Sequence, residues 1–245
     1  MLTKKELAHK IEELIEIEKA KTCGSEASSI YSKRQKKRFA TTFDICKKYV
    51  PDRHSRVLDI GRSNLTYMLS QYYSHVFTLG YDLTVDAGGH RETVQLGNVE
   101  HITYDLNESK NPETWPDYPN SFDLIVYCET LEHLTTPPEF SLLMLKYLLK
   151  PGGFIIVTTP NAVSIHKRII ILMGKNPYER IRYYGLNPGH FREYTKEELV
   201  EIAELCNLKI VECRTINFKP SKYFVLRCLK RIPPFKDTIL AVFSG

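Results

Sequence analysis

Apolar positions along this chain follow two rhythms. At the start, Leu7, Ile11, Leu14 and Ile15 recur at helical spacing behind Thr3 and Glu6, a capping-box pair. The pattern predicts a helix over about 4–20. Gly24, Ser25, Ser28 and Ser29 read as a linker. A second helix is expected over about 30–49, with Tyr31, Phe39 and Phe43 at helical spacing and a stop before Pro51. From position 56 the rhythm becomes short apolar runs. Strands are expected over about 56–61, 75–81, 100–104, 122–127, 154–158, 208–216 and 237–243. Helical stretches separate them. One runs through Leu65, Met68 and Leu69, capped by Ser63 or Asn64. Another, over about 137–149, stops at Lys150-Pro151-Gly152-Gly153. A third follows the Thr195/Glu198 capping box through Leu199, Ile202, Ala203 and Cys206, and a fourth covers about 221–230. The stretch 161–194 reads as long and irregular.

Strands alternating with helices imply a parallel sheet covered on both faces. The expected fold is α/β, a doubly wound, mostly parallel seven-strand sheet preceded by N-terminal helices. Residues 1–37 read as a helical extension and 38–245 as one domain, with 161–194 as a lid inserted on its ligand side. The length of 245 residues, 42% hydrophobic and 26% charged, suits a globular domain with a substantial core. The longest apolar candidate, Ile169–Met173, is far too short to cross a bilayer. The N-terminus lacks the apolar core of a secretion signal, so a cytoplasmic location is expected. Cysteines 23, 46, 128, 206, 213 and 228 show no metal-ligand spacing and read as reduced structural thiols. The net charge of +5 permits an anionic partner without demanding one.

Candidate chemistry gathers at the strand ends. Ligands of open α/β sheets bind beyond the carboxyl ends of the strands, where strand order reverses. Asp59 and Gly61 close the first strand, where glycine lets a ligand approach the backbone and the next helix offers amides. Asp82 follows the second strand and can accept the two hydroxyls of a ribose. Asp105 follows the third and can meet an adenine amino group, with Leu106 packing on the ring. After the fourth strand comes Glu129-Thr130-Leu131-Glu132-His133. In a helical turn, Glu129, Glu132 and His133 share a face and can bind a divalent cation or hold a general base.

These motifs carry a resemblance. Val57-Leu58-Asp59-Ile60-Gly61 is similar to the first motif of class I S-adenosylmethionine-dependent methyltransferases, Gly80-Tyr81-Asp82 to their ribose motif, and Leu148 to Phe154 to the turn before their fifth strand. The resemblance covers about 38–245. It implies S-adenosyl-L-methionine as cofactor, with Asp59 and Gly61 on its methionine end, Asp82 on the ribose, and Asp105 and Leu106 at the adenine. It implies Glu129 on the cofactor side. Arg62-Ser63-Asn64 stands where the family has a second glycine-rich step, and Asn tolerates the left-handed turn. The ExxEH motif resembles that of quinone-biosynthesis O-methyltransferases and of small-RNA 2′-O-methyltransferases. The resemblance extends to Thr159-Pro160-Asn161 and to His190. It implies Glu129, Glu132, His133 and His190 as ligands of a divalent cation. The metal-free reading gives His133, Glu132 and His190 the handling of the acceptor and its proton.

The expected activity is methylation of a hydroxyl on a sugar or other small metabolite, anionic or glycan-linked given the Arg- and Tyr-rich lid. Metal-assisted methylation of an RNA 2′-hydroxyl is one alternative. A catalytically silent member that binds only cofactor or a partner is another. Trp115 and Tyr118 are read as a stacking wall or as rim packing. The basic run Lys33–Arg38 is read as a solvated helix face, and Ile165, Ile169, Ile170, Leu172 and Met173 as lid packing in preference to a membrane contact.

Overall fold

The computed structural model describes residues 25–83, 96, 99–181, 189–218 and 224–245. The helix expected over 4–20 lies outside the described residues.

Helix α1 (Ser25–Tyr49) opens the fold. It starts earlier than expected and absorbs Ser25–Ser29. Serine is tolerated in a first turn, where backbone amides have no helical partner. The helix runs unbroken across position 37. Phe39, Thr42, Ile45 and Cys46 form its buried stripe. Seven strands follow: β1 (Arg56–Ile60), β2 (His75–Gly80), β3 (Glu100–Thr103), β4 (Phe122–Cys128), β5 (Leu149–Pro160), β6 (Lys209–Ile216) and β7 (Thr238–Ser244). The helices between them are α2 (Asn64–Ser70), α3 (Pro138–Leu148), α4 (Ile165–Leu172), α5 (Lys196–Leu205) and α6 (Phe224–Leu229). The sheet has the order β3-β2-β1-β4-β5-β7-β6. Strands β1 to β5 pair in parallel, and β7 runs antiparallel between β5 and β6.

Strand alternation divides the core into two layers. Leu58, Ile60, Ile125, Tyr127, Ile155 and Val157 face α3 and α5. Val57, Leu124, Val126 and Ile156 face α1 and α2. Both faces are covered, which is why β4 is an unbroken apolar run. The glycine pair read as a stop signal sits inside β5. A side chain at Gly153 would come within 3.0 Å of the Asp123 carbonyl and 2.9 Å of the Leu149 side chain. The strand therefore continues because glycine lets it pass its neighbour closely.

The region after β5 is more ordered than expected. It bridges to Tyr194 through Asn161 and forms α4. Strand order reverses between β1 and β4, so their carboxyl ends open the crevice that the alternation of elements predicts.

Candidate functional site

The first part of the site is the rim formed by the ends of β1, β2 and β3. Neighbouring ends are stitched together, with the Gly61 amide donating to Leu79 O and the Tyr104 amide to Gly80 O, each at 2.8 Å. Gly61 has φ +94°, and the space a side chain would occupy is open. That open, left-handed turn fits a ligand lying against the backbone. Arg62, Ser63 and Asn64 are not left-handed. The turn survives the loss of later glycines because Gly61 alone makes the reversal and Ser63 begins the cap. Ser63 Oγ accepts from the Leu65 amide at 3.1 Å, while the Ser63 amide donates to Thr66 Oγ1 at 2.9 Å. Thr66 then donates to Asp59 Oδ2 at 2.6 Å. Asp59 is thus the buried anchor of the turn. Its burial raises the carboxyl pKa from 3.8 to about 7, against the pull of the Thr66 hydrogen bond.

Asp82 is exposed just beyond β2. The preceding Tyr81 carbonyl is held by His101 Nε2 at 2.9 Å, and His101 Nδ1 meets Thr78 Oγ1 at 2.9 Å. A carbonyl can only accept, so Nε2 carries the proton and Nδ1 accepts from Thr78. Asp105 caps the short 3-10 helix Leu106–Lys110, accepting from the Asn107 amide at 2.9 Å and its side chain at 3.0 Å. Leu106 is buried in the main core.

The second part lies beyond β4 and β5. Glu129 adopts φ +53° and precedes the 3-10 turn Leu131–His133. The three motif residues therefore do not share one helical face. Successive threonines on β5 receive them from opposite sides of the sheet. Thr158 donates to Glu129 Oε1 and Thr159 to Glu132 Oε2, each at 3.0 Å. Glu129 is also ion-paired with the buried Arg38 of α1 at 2.7 Å. Glu132 instead meets the two histidines. Ligand atoms of Glu132, His133 and His190 lie within 4.8 Å of one another, and the two imidazoles meet edge to face at 4.8 Å.

This cluster is closed by long-range contacts. The Phe191 amide donates to Glu132 O at 2.8 Å, and His133 Nδ1 donates to Gly189 O at 2.9 Å. His190 Nδ1 lies 3.1 Å from Glu193 Oε1, and Glu193 also pairs with Lys167 of α4. In the neutral imidazole of His133 this leaves the lone pair on Nε2. Burial favours uncharged forms here. It raises Glu132 to about 8, with Glu129 adding to the rise, and lowers His190 to about 4, with His133 adding to the fall. Glu132 Oε1 is buried with no hydrogen-bond partner among the described residues.

A family model described as a methyltransferase domain matches residues 31–213. The chain belongs to that family. Solved structures agree on the fold. A methyltransferase of Haloferax volcanii, in complex with the methyltransferase activator Trm112, has a TM-score of 0.59 at 15% identity, covering 87% of this chain and 93% of that one. The N-methyltransferase NodS of Bradyrhizobium japonicum, bound to S-adenosyl-L-homocysteine, has a TM-score of 0.54 at 16% identity and covers 86% and 87%. The 1,6-didemethyltoxoflavin-N1-methyltransferase of Burkholderia thailandensis has a TM-score of 0.54 at 15% identity and covers 84% and 77%. No curated protein sequence matches.

The methyltransferase places at this site residues that a reading of its sequence passes over. Arg38 sits in the basic run read as a solvated face, yet it is 7% exposed and reaches Glu129. Its helical spacing from Thr42 and Cys46 is the signal that places it on the inward side. Thr66 and Thr158 had no motif to mark them, while Thr159 stood in the Thr159-Pro160-Asn161 motif and Glu193 beside His190 without a role of their own. Trp115 and Tyr118 form no wall at the site. Trp115 packs on Tyr147 and donates to Ser109 O, and Tyr118 packs on Phe77 and Phe122 near the strand starts.

Proposed function

We propose that the methyltransferase moves the methyl group of S-adenosyl-L-methionine to an oxygen of a small-molecule acceptor, a hydroxyl of a sugar or comparable metabolite. When bound, the cofactor supplies a methyl group made electrophilic by its sulfonium. The Gly61 turn and Asp82 would hold it along the rim, Asp105 would serve its adenine edge, and Asp59 would keep the turn in shape. The single observation that carries the acceptor side is the imidazole pair beside buried Glu132. Burial keeps His190 neutral, as a proton acceptor must be. His133, oriented through Nδ1, would receive the hydroxyl proton at its other nitrogen. Held close to the rim, these groups would act by placing the acceptor and receiving its proton.

A second reading rests on Glu132 Oε1. One carboxylate and two imidazoles suit a divalent transition metal, and each histidine hydrogen-bonds through Nδ1 to a carbonyl or carboxylate, as ligating histidines do. Glu132, His133 and His190 would be the ligands. Glu129, on the other side of the sheet, would stay with Arg38. This reading favours a metal-assisted transfer to a ribose 2′-hydroxyl.

The test is a transfer assay on the full chain with methyl-labelled cofactor. The panel holds sugars, nucleotide sugars, phenols, amines and short RNAs, each with and without chelator. Label on a hydroxylated metabolite regardless of chelator supports the first reading, and label on RNA lost to chelator supports the second. Label on amines alone overturns the oxygen assignment. Absence of measurable heat on titrating S-adenosyl-L-homocysteine would mean a silent member of the fold.

A further inference from the structure

Helix α4 packs against α6 and against the 3-10 turn Pro233–Phe235. Only the first part of α4 serves as lid packing. Ile165 is buried, but Leu172 is 85% exposed and Met173 63%. On α6, Phe224 is 74% exposed and Val225 67%. Large apolar side chains grouped at this level of exposure are unusual on a protein surface with no partner. The charge around them is of one sign. Over 165–181 and 224–237 there are eight lysines and arginines against two acids, and with Lys167 and Lys230 held in ion pairs with Glu193 and Asp237, six of the cations remain around the apolar side chains. One of those acids, Asp237, is paired with Lys230 at 2.6 Å.

We infer that this face docks on an anionic lipid bilayer. Protruding bulky apolar residues ringed by Lys and Arg match the acyl boundary and the negative headgroups together. No helix among the described residues can span a membrane, so the contact is with the surface. The position has a consequence. Helix α4 leaves the carboxyl end of β5, and Pro160 there pairs with Thr238 at the start of β7. Lys167 of α4 pairs with Glu193, which holds His190. The docking face therefore adjoins the imidazole cluster, and a bilayer there would present acceptors carried in or on the membrane.

Co-sedimentation of the full chain with vesicles tests this without cofactor or acceptor, so a failure of methyl transfer leaves it standing. Binding is expected to vesicles of phosphatidylcholine mixed with phosphatidylglycerol, weakening as salt rises, and not to phosphatidylcholine alone. The double substitution L172D and F224D, at exposed positions, is expected to cut binding about tenfold or more. Charge reversal by R227E with R231E should also reduce it. No binding to the mixed vesicles, or binding unchanged by both double variants, overturns the inference. So does a dimer that L172D with F224D dissociates while vesicles go unbound, since a second copy then covers the face.

Discussion

The rim at β1–β3 and the imidazole cluster beyond β4 are built at different ranges along the chain. At the rim two of the acids take hydrogen bonds from near neighbours in sequence. Asp59 is held by Thr66, and Asp105 by Asn107. Beyond β4, Glu132 and His133 of the cluster are held by Thr159 and Gly189, and Glu129 beside it by Arg38. A local device keeps its geometry wherever the strand ends are correct. A long-range device depends on several elements docking at once, and those are the contacts that a change in one element loses first.

The largest effect should come from the cluster. His133→Ala is expected to lower turnover about 10³-fold with the acceptor that the panel identifies. The affinity for S-adenosyl-L-homocysteine, measured by calorimetry, should change by no more than about twofold. An equal loss of affinity would put His133 on the cofactor side and erase the distinction between the two regions.

Next in size is the link between α1 and the sheet. Arg38→Met removes one partner of a buried ion pair and leaves Glu129, in a left-handed conformation, with Thr158 as its remaining side-chain partner among the described residues. A loss of ~3 kcal/mol in denaturant unfolding is expected. Adding Glu129→Gln should recover much of it, because the uncompensated charge is gone. A double variant as unstable as the single one would mean that Arg38 acts through packing alone.

The same contrast explains what could be read from the sequence. The seven strands were legible because β1, β4 and β5 are apolar runs bounded by turn residues. Asp59, Asp82 and Asp105 were legible because a strand end followed by an acid is a local pattern. The ExxEH motif was legible as chemistry and misread as geometry. A helical turn through 129–133 would unite Glu129, Glu132 and His133. The left-handed Glu129 and the alternation of Thr158 and Thr159 split them between two faces of the sheet. Arg38 was hidden in a run of like charges, where only its helical spacing from the buried Thr42 and Cys46 marks it as the one that turns inward.

A smaller effect tests the anchor of the rim. Asp59 takes up a proton on folding, because burial raises its pKa from 3.8 to about 7. The folded chain then binds more protons than the unfolded one between those values, so this group's contribution to stability is complete below about pH 4 and is lost as pH rises through 7. Asp59→Asn removes that dependence and keeps an oxygen for Thr66. Between pH 5 and pH 8 the variant should gain on the parent by ~2–3 kcal/mol, seen in melting temperatures of the free protein. Parallel pH profiles would show that Asp59 is solvated and does not anchor the turn.

The smallest effect is expected at the exposed end of the same rim. Asp82 stands outside the core, so Asp82→Ala should leave stability within ~0.5 kcal/mol. As acceptor for two ribose hydroxyls it would contribute charge-assisted hydrogen bonds, and its loss should weaken S-adenosyl-L-homocysteine binding about 10- to 30-fold. Asp82→Asn, which keeps the oxygen and loses the charge, should fall between the two. Calorimetry on the three proteins reads the ordering directly. If affinity is the same in all three, the ribose does not lie against β2. The rim would then be a set of local braces, and the cofactor would be held chiefly by the crevice between β1 and β4.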